Sequence, residues 1–186
     1  MKMIDKFIPT YCYKDIYEID YTKLYSSGIK IILFDLDNTI QKNIDKTPSL
    51  EAINKINEIK KMGFKVYILS NNSMERIQDT LTKLDVSGFA RAQKPLKKGF
   101  KKVLNNLYEN KLINDNKEVL MIGDQVLTDV WGANKMGLRS LLVKPIDLST
   151  EKWYTTLNRN TERRIIEKIK KRDIEKYKKI KKMLGD

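Results

Sequence analysis

Lys30-Ile31-Ile32-Leu33-Phe34-Asp35-Leu36-Asp37-Asn38-Thr39 is an apolar run of strand length that ends abruptly in two acids. Its apolar half carries β-branched and aromatic residues with no polar alternation, which predicts a strand buried on both faces. Strands of that kind belong to parallel sheets covered by helices, where ligands bind beyond the carboxyl ends of the strands. Position alone therefore puts Asp35 and Asp37 where chemistry is done.

Working outward, similar short runs recur at Lys65 to Leu69, Glu118 to Ile122 and Arg139 to Val143. Between them lie one-sided apolar stripes of helical period: Leu50, Ile53, Ile56 and Ile59; Met74, Ile77, Leu81 and Leu84; Phe100, Val103, Leu104 and Leu107. Strands alternating with helices predict right-handed βαβ units and hence an α/β fold, a doubly wound and mainly parallel sheet. The polar residues that follow the runs then share one sheet edge. They are Asp35 to Thr39, Ser70-Asn71-Asn72, Gly123-Asp124-Gln125 with Asp129, and Lys94-Pro95 after the short stretch Phe89 to Ala92.

Composition narrows the chemistry. The chain has 186 residues, one domain's worth, with 37 Lys and Arg against 24 Asp and Glu, a net charge of +13. The last 36 residues hold 13 basic and six acidic side chains, so more than half of the excess lies there. There is no histidine, which excludes serine-histidine-aspartate triads and histidine-ligated zinc. The lone Cys12 excludes an internal disulfide and a CxxC redox pair, and no apolar run is long enough to span a bilayer. A cytoplasmic protein is expected, with a core domain over 1–150 and a basic helical extension over 151–186.

Each acid alone reads as a helix cap or turn, Asp129 as a cap for a helix over Val130 to Met136. Together, Asp35, Asp37, Asp124 and Asp129 form a cluster that repels itself unless a cation intervenes, and an oxygen-only ligand set suits Mg²⁺ bound along with a substrate phosphate. Two acids at i and i+2 can divide the labour on a phosphate ester, one attacking phosphorus and the other protonating the leaving oxygen and then activating water. Ser70 and Lys94 would neutralise and orient the phosphoryl oxygens.

These four segments, in this order, resemble the motifs of the haloacid dehalogenase phosphatases. The resemblance implies Asp35 as nucleophile, Asp37 as general acid and then base, and Ser70, Asn71 and Lys94 as phosphate ligands. It implies a Mg²⁺ site made by Asp35, Asp124 and the Asp37 carbonyl, with Asp129 and Thr39 in support. The segments Phe7 to Tyr11, Leu24 to Gly28, Thr128 to Asn134 and Trp153 to Arg164, the last containing Asn158-Arg159 and Glu162-Arg163-Arg164, resemble the YqeG-type branch, related to phosphatidylglycerophosphate phosphatases. The likeness covers about residues 3–168.

Only 34 residues separate Asp35 from Ser70 and 23 separate Ser70 from Lys94, too few for a cap domain in either gap. In the family a capless site implies a large substrate, such as a protein, a nucleic acid or a lipid head group, or a cap donated by oligomerisation. The tail reads as a helix whose Ile166, Ile169, Ile174, Tyr177, Ile180 and Leu184 form a ragged apolar stripe beside a lysine-arginine face. Such helices lie on anionic membranes, so the expected partner is a phosphatidylglycerophosphate-like lipid at a membrane surface, with the protein peripheral to its inner face. A solvated helix is the plain alternative. A nucleotide or nucleic-acid end phosphate is the second enzymatic reading, and a non-catalytic RNA- or ribosome-binding protein the third. Trp131 and Trp153 are expected in the core.

Overall fold

A computed structural model describes residues 2–149 and 153–184, the side chains of 153–157 and 183 excepted. Six parallel strands form one sheet: β1 (Tyr11–Cys12), β2 (Ile31–Phe34), β3 (Lys65–Leu69), β4 (Ser87–Phe89), β5 (Val119–Gly123) and β6 (Arg139–Leu142). Their order is β1-β6-β5-β2-β3-β4. The helices are α1 (Tyr21–Ser26), α2 (Leu50–Lys61), α3 (Met74–Leu84), α4 (Lys97–Glu109), α5 (Trp131–Lys135), α6 (Trp153–Lys170) and α7 (Ile174–Leu184). The doubly wound α/β expectation is borne out.

The central strand is β2, all four of whose residues are buried, with Phe34 in register with Ile68 of β3 and Ile122 of β5. Its side chains alternate between two cores. Ile32 and Phe34 pack with Ile56 and Ile59 of α2, Ile77 and Leu81 of α3, and the N-terminal Ile16, Tyr21 and Leu24. Ile31 and Leu33 pack with Phe100, Val103 and Leu107 of α4. From β2 the chain winds to β3 and β4 on one side, then crosses back to β5 and β6 on the other. The winding reverses between β2 and β5, which makes the crevice at their carboxyl ends the natural ligand site.

Some expectations need correction. Leu50 and Met74 head their helical stripes but are exposed, because each occupies the first turn, beyond the reach of the sheet. Strand β4 stops at Phe89, and Ala90 to Ala92 continue past it toward Lys94. Strand β1, only two residues long, escaped the apolar-run criterion because its Tyr11 and Cys12 are half-buried at the sheet edge.

The largest correction concerns the tail. It is two helices, and its apolar stripe is consumed by the fold: Ile166, Ile169 and Ile180 are buried against Phe7, Val126, Val130 and Leu142. Only Ile174 of the stripe stands exposed. The tail therefore keeps its basic face for solvent but has little apolar face to offer a membrane. Trp131 is half-buried beside this cluster, stacked on Phe7 with ring centres 5.0 Å apart and capped by the Lys135 ammonium. The expected role of the Trp153 side chain and the expected domain boundary at 150/151 lie outside the described residues. Among the described residues no helix is long and apolar enough to cross a membrane.

Candidate active site

Asp35 leaves the carboxyl end of β2, Ser70 that of β3 and Asp124 that of β5, and Lys94 comes five residues after β4. The backbone of Asp35 is held by the Ile122 carbonyl at 2.8 Å, so the ladder between β2 and β5 extends into the site. Asn38 then turns the chain with φ of 59°, a left-handed conformation that asparagine tolerates, and its N–H donates to Gln41 O at 2.7 Å. This turn buries Thr39, whose Oγ1 has no hydrogen-bond partner among the described residues.

Lys94 ties the acids together. Its side chain is 2% exposed, and its ammonium lies 2.7 Å from Asp35 Oδ1 and 2.7 Å from Asp129 Oδ1. Burial alone would lower its pKa, but the two carboxylates outweigh burial and hold the lysine above its ordinary value. Asn71 fixes Lys94 from the backbone side: its Oδ1 accepts from Lys94 N at 2.7 Å and its Nδ2 donates to Lys94 O at 3.1 Å. The Asn71 side chain thus positions Lys94. Ser70 is buried, and its Oγ accepts from Asn72 N at 3.1 Å, which leaves the hydroxyl proton for an incoming acceptor.

Asp129 lies in a wide helical turn over Val126–Val130 rather than at a helix cap, and its Oδ2 accepts from Gln125 N at 3.1 Å. Its approach requires Gly123, because a Cβ there would come within 2.3 Å of the Asp129 carboxylate. Burial pushes Asp129 up to about 6, with Lys94 opposing the rise. Burial pushes Asp124 up to about 8, with Arg159 opposing the rise and Asp35 and Asp129 adding to it.

Asp35, Asp124 and Asp129 each bring an oxygen within 4.8 Å of the others, all three residues being buried. Asp124 Oδ1 is buried without a partner among the described residues. An orphaned carboxylate oxygen amid like charges is costly unless a cation answers it, so the cluster fits a hard metal ion. The Asp37 carboxylate points elsewhere, accepting from Asn72 Nδ2 at 2.6 Å and from Arg76 Nη2 at 3.4 Å. Its expected share in metal binding was through its main-chain carbonyl, and its side chain is partly exposed.

Four residues at the site were not among the expected ones. Asn72 and Arg76 hold Asp37, and they sit two and six residues after Ser70, the latter in the first turn of α3. Arg159 donates to Asp124 O at 2.8 Å and to its Oδ2, while Glu162 receives Arg159 at 3.3 Å and Leu127 N at 2.7 Å. The i, i+3 spacing of an arginine and a glutamate in α6 was the available signal, since both acquire buried partners 35 residues away. Burial raises Glu162 to about 7 against the pull of Arg159.

From Asp35 to Ser70 the chain holds only a loop and α2 before β3, and from Ser70 to Lys94 only α3 and β4. Neither stretch contains a cap domain.

Residues 1–146 match the family described as mitochondrial PGP phosphatase. The chain is 35% identical over 166 residues to the probable phosphatase YqeG of Bacillus subtilis (strain 168), an alignment covering 89% of this chain and 93% of that one. An uncharacterized protein from Listeria monocytogenes serotype 4b shares the fold, with a TM-score of 0.52 and 23% identity over 67% of this chain and 84% of that one. A haloacid dehalogenase-like hydrolase from Brucella suis 1330 superposes with a TM-score of 0.49 at 11% identity, covering 70% and 92%. The expected family and enzyme class are borne out together: the chain is a phosphatase, similar to YqeG, and belongs to the family described as mitochondrial PGP phosphatase.

Proposed function

We propose that this phosphatase is a Mg²⁺-dependent phosphomonoesterase that carries the phosphoryl group on Asp35 and acts on phosphatidylglycerophosphate at an anionic membrane surface, at the inner face of the membrane. The observation that carries the reading is the buried Lys94 ammonium, 2.7 Å from Asp35 and 2.7 Å from Asp129 beside the orphaned Asp124 Oδ1. Such a lysine fits both a nucleophilic carboxylate and the oxygens of the phosphoryl group whose phosphorus that carboxylate would attack. The description of the matching family supports a lipid phosphate as the substrate.

Asp35, Asp124 and the Asp37 carbonyl would hold Mg²⁺, which when bound neutralises charge on the phosphoryl group. An Asp35 oxygen attacks phosphorus while the ester oxygen leaves with a proton from Asp37. Asn72 and Arg76 aim the Asp37 carboxyl, which lies two residues from the nucleophile and has access to solvent. Lys94 and the Ser70 hydroxyl donate to the phosphoryl oxygens as charge moves onto them. Asp37, now ionised, takes a proton from water, which attacks the acyl phosphate and returns Asp35. A site without a cap over it suits a head group presented by a surface.

Phosphate release from phosphatidylglycerophosphate in vesicles with Mg²⁺, wild type beside Asp35→Asn, tests the reading. Turnover abolished in the variant is expected. Turnover of an aryl phosphate but not of the lipid would overturn the substrate, and equal turnover by Asp35→Asn would overturn the mechanism.

A further inference from the structure

The open edge of the sheet carries an apolar rim and, beside it, a lysine groove. All six strands are parallel, so every loop that follows a strand leaves at the edge where Asp35 and Asp124 stand. Among the described residues eleven large apolar side chains are exposed, and six of them lie on loops or helix starts at this edge: Ile44, Leu50, Met74, Leu96, Ile146 and Leu148. Ile44 and Leu148 are 66% and 50% exposed. Exposed apolar side chains that share one edge of the sheet point to an interaction surface.

Two of them are held against the catalytic turn. Ile146 N donates to Asn38 O at 3.0 Å and Asp147 N to Asn38 Oδ1 at 3.3 Å, so the loop bearing Ile146 and Leu148 is fastened to the residue after Asp37. Along the same edge a cleft of about 420 Å³ runs past Ile40, Gln41 and Ile146 to Lys14 and Lys144. These two lysines also line a groove of about 640 Å³ between β1 and α7, completed by Lys176, Lys179 and Lys182 with Glu18 as its acid. Lys176 is spent on the Pro9 and Thr10 carbonyls, at 3.1 and 2.8 Å, and Lys14 lies 3.5 Å from Glu18. At about 4.8 Å per strand the groove's β1 wall stands roughly 14 Å from β2, close enough for one flat surface to meet both.

We propose that the protein docks on an anionic phospholipid bilayer through this edge, with Ile44, Ile146 and Leu148 entering the interface and Lys144, Lys179 and Lys182 meeting the head groups. This deepens the function proposed above and rests on it for the lipid as substrate. It replaces the tail's apolar stripe, which is buried, with the active-site rim, so that the head group and the nucleophile meet without the lipid leaving the membrane. Nucleic acid would find a poorer match, because the exposed rim is aliphatic, whereas single strands are held by aromatic stacking.

The test is sedimentation of the full chain with substrate-free phosphatidylglycerol vesicles, with pure phosphatidylcholine vesicles beside them. Wild type is expected to partition onto the anionic vesicles. Ile146→Ser/Leu148→Ser should bind at least about tenfold more weakly, since two side chains no longer transfer from water. Lys144→Gln/Lys179→Gln/Lys182→Gln should lose about a hundredfold or more, with a flatter salt dependence. Met62→Ser, exposed at the opposite edge, should bind as wild type does.

Rim variants that fold and bind as wild type does would overturn the proposal. So would lysine variants that lose an oligonucleotide but not vesicles. Asp35-dependent hydrolysis of an aryl phosphate, run in parallel, separates the two readings. Hydrolysis without vesicle binding overturns the docking face and leaves the phosphatase, whereas vesicle binding without hydrolysis of either substrate does the reverse.

Discussion

Arg159 clamps Asp124 from a helix 35 residues further along the chain, donating to its main-chain carbonyl at 2.8 Å and to its carboxylate Oδ2. That leaves Oδ1 as the unpartnered oxygen of the buried acid. The guanidinium therefore sets which oxygen faces the cluster, and it favours the ionised form that a cation needs. Arg159→Ala should raise the Mg²⁺ concentration for half-maximal phosphate release about 10- to 100-fold. Mn²⁺ binding followed by calorimetry should weaken in parallel. If melting temperature falls while both metal readouts stay put, Arg159 is a strut and nothing more.

Lys94 gives a different signature, because it is the countercharge of two buried acids. Lys94→Met should lower turnover by at least about a hundredfold, the cost of one donor at a phosphoryl oxygen. It should also cost about 3–5 kcal/mol of stability in urea, since two carboxylates are left uncompensated. Adding Asp129→Asn should return much of the stability and none of the activity. Recovery of both would place Lys94 outside the chemistry.

Asp35, Ser70 and Asp124 were legible in the sequence because each follows an apolar strand directly and a parallel sheet delivers strand ends to one edge, while Asp37, Lys94 and Asp129 lie a few residues further along the loops that leave there. Asn71 was visible in the same turn, but what its side chain holds was not. Only coordinates reveal that its amide pairs with the Lys94 backbone, a contact set by how β4 returns to the end of β3. Arg159 and Glu162 were hidden for a related reason. Their spacing marks a helix face, but nothing local says that the face closes over Asp124 and Leu127. The tail misled most, because an amphipathic pattern reports that one face leaves water without saying whether membrane or protein covers it. Here Val126, Val130 and Leu142 cover it.

Stability should depend on pH in a direction opposite to that of a salt-bridged acid. Burial lifts Asp124 to about 8 and Asp129 to about 6, both above the ordinary 3.8. The folded, metal-free protein therefore keeps protons that the unfolded chain has released, and stability falls as pH rises from about 4 to about 8. A bound cation reverses the preference, so stabilisation by Mg²⁺ should grow across the same window and its binding should release protons. Melting curves in chelator and in Mg²⁺ at several pH values check this. A chelated protein equally stable at both ends of the window would count against it.

Ile169 and Ile180 are fully buried in the third core, so the tail is a structural part of the enzyme. Ile180→Ala should cost about 2–5 kcal/mol. Deleting residues 169–186 should reduce hydrolysis of a soluble aryl phosphate, because the support under Val126–Val130 and thus Asp129 is lost, and that of a vesicle lipid further still, because Lys179 and Lys182 go with it. A loss confined to vesicles would instead assign these helices to the membrane.

Asp37 should separate the two halves of the reaction. An aryl leaving group departs with little help from an acid, so Asp37→Asn should still transfer phosphate to Asp35 at a useful rate. Hydrolysis of the acyl phosphate needs Asp37 as base and should slow by about 10²- to 10⁴-fold. Rapid quenching should then show a burst of about one phenolate per protein, with phosphate retained on the chain and released by hydroxylamine, as expected of an acyl phosphate. Asp35→Asn should show neither burst nor label. Steady turnover of Asp37→Asn without a burst would mean that another group activates the water, and Asn72 and Arg76 would then be holding Asp37 for the first step alone.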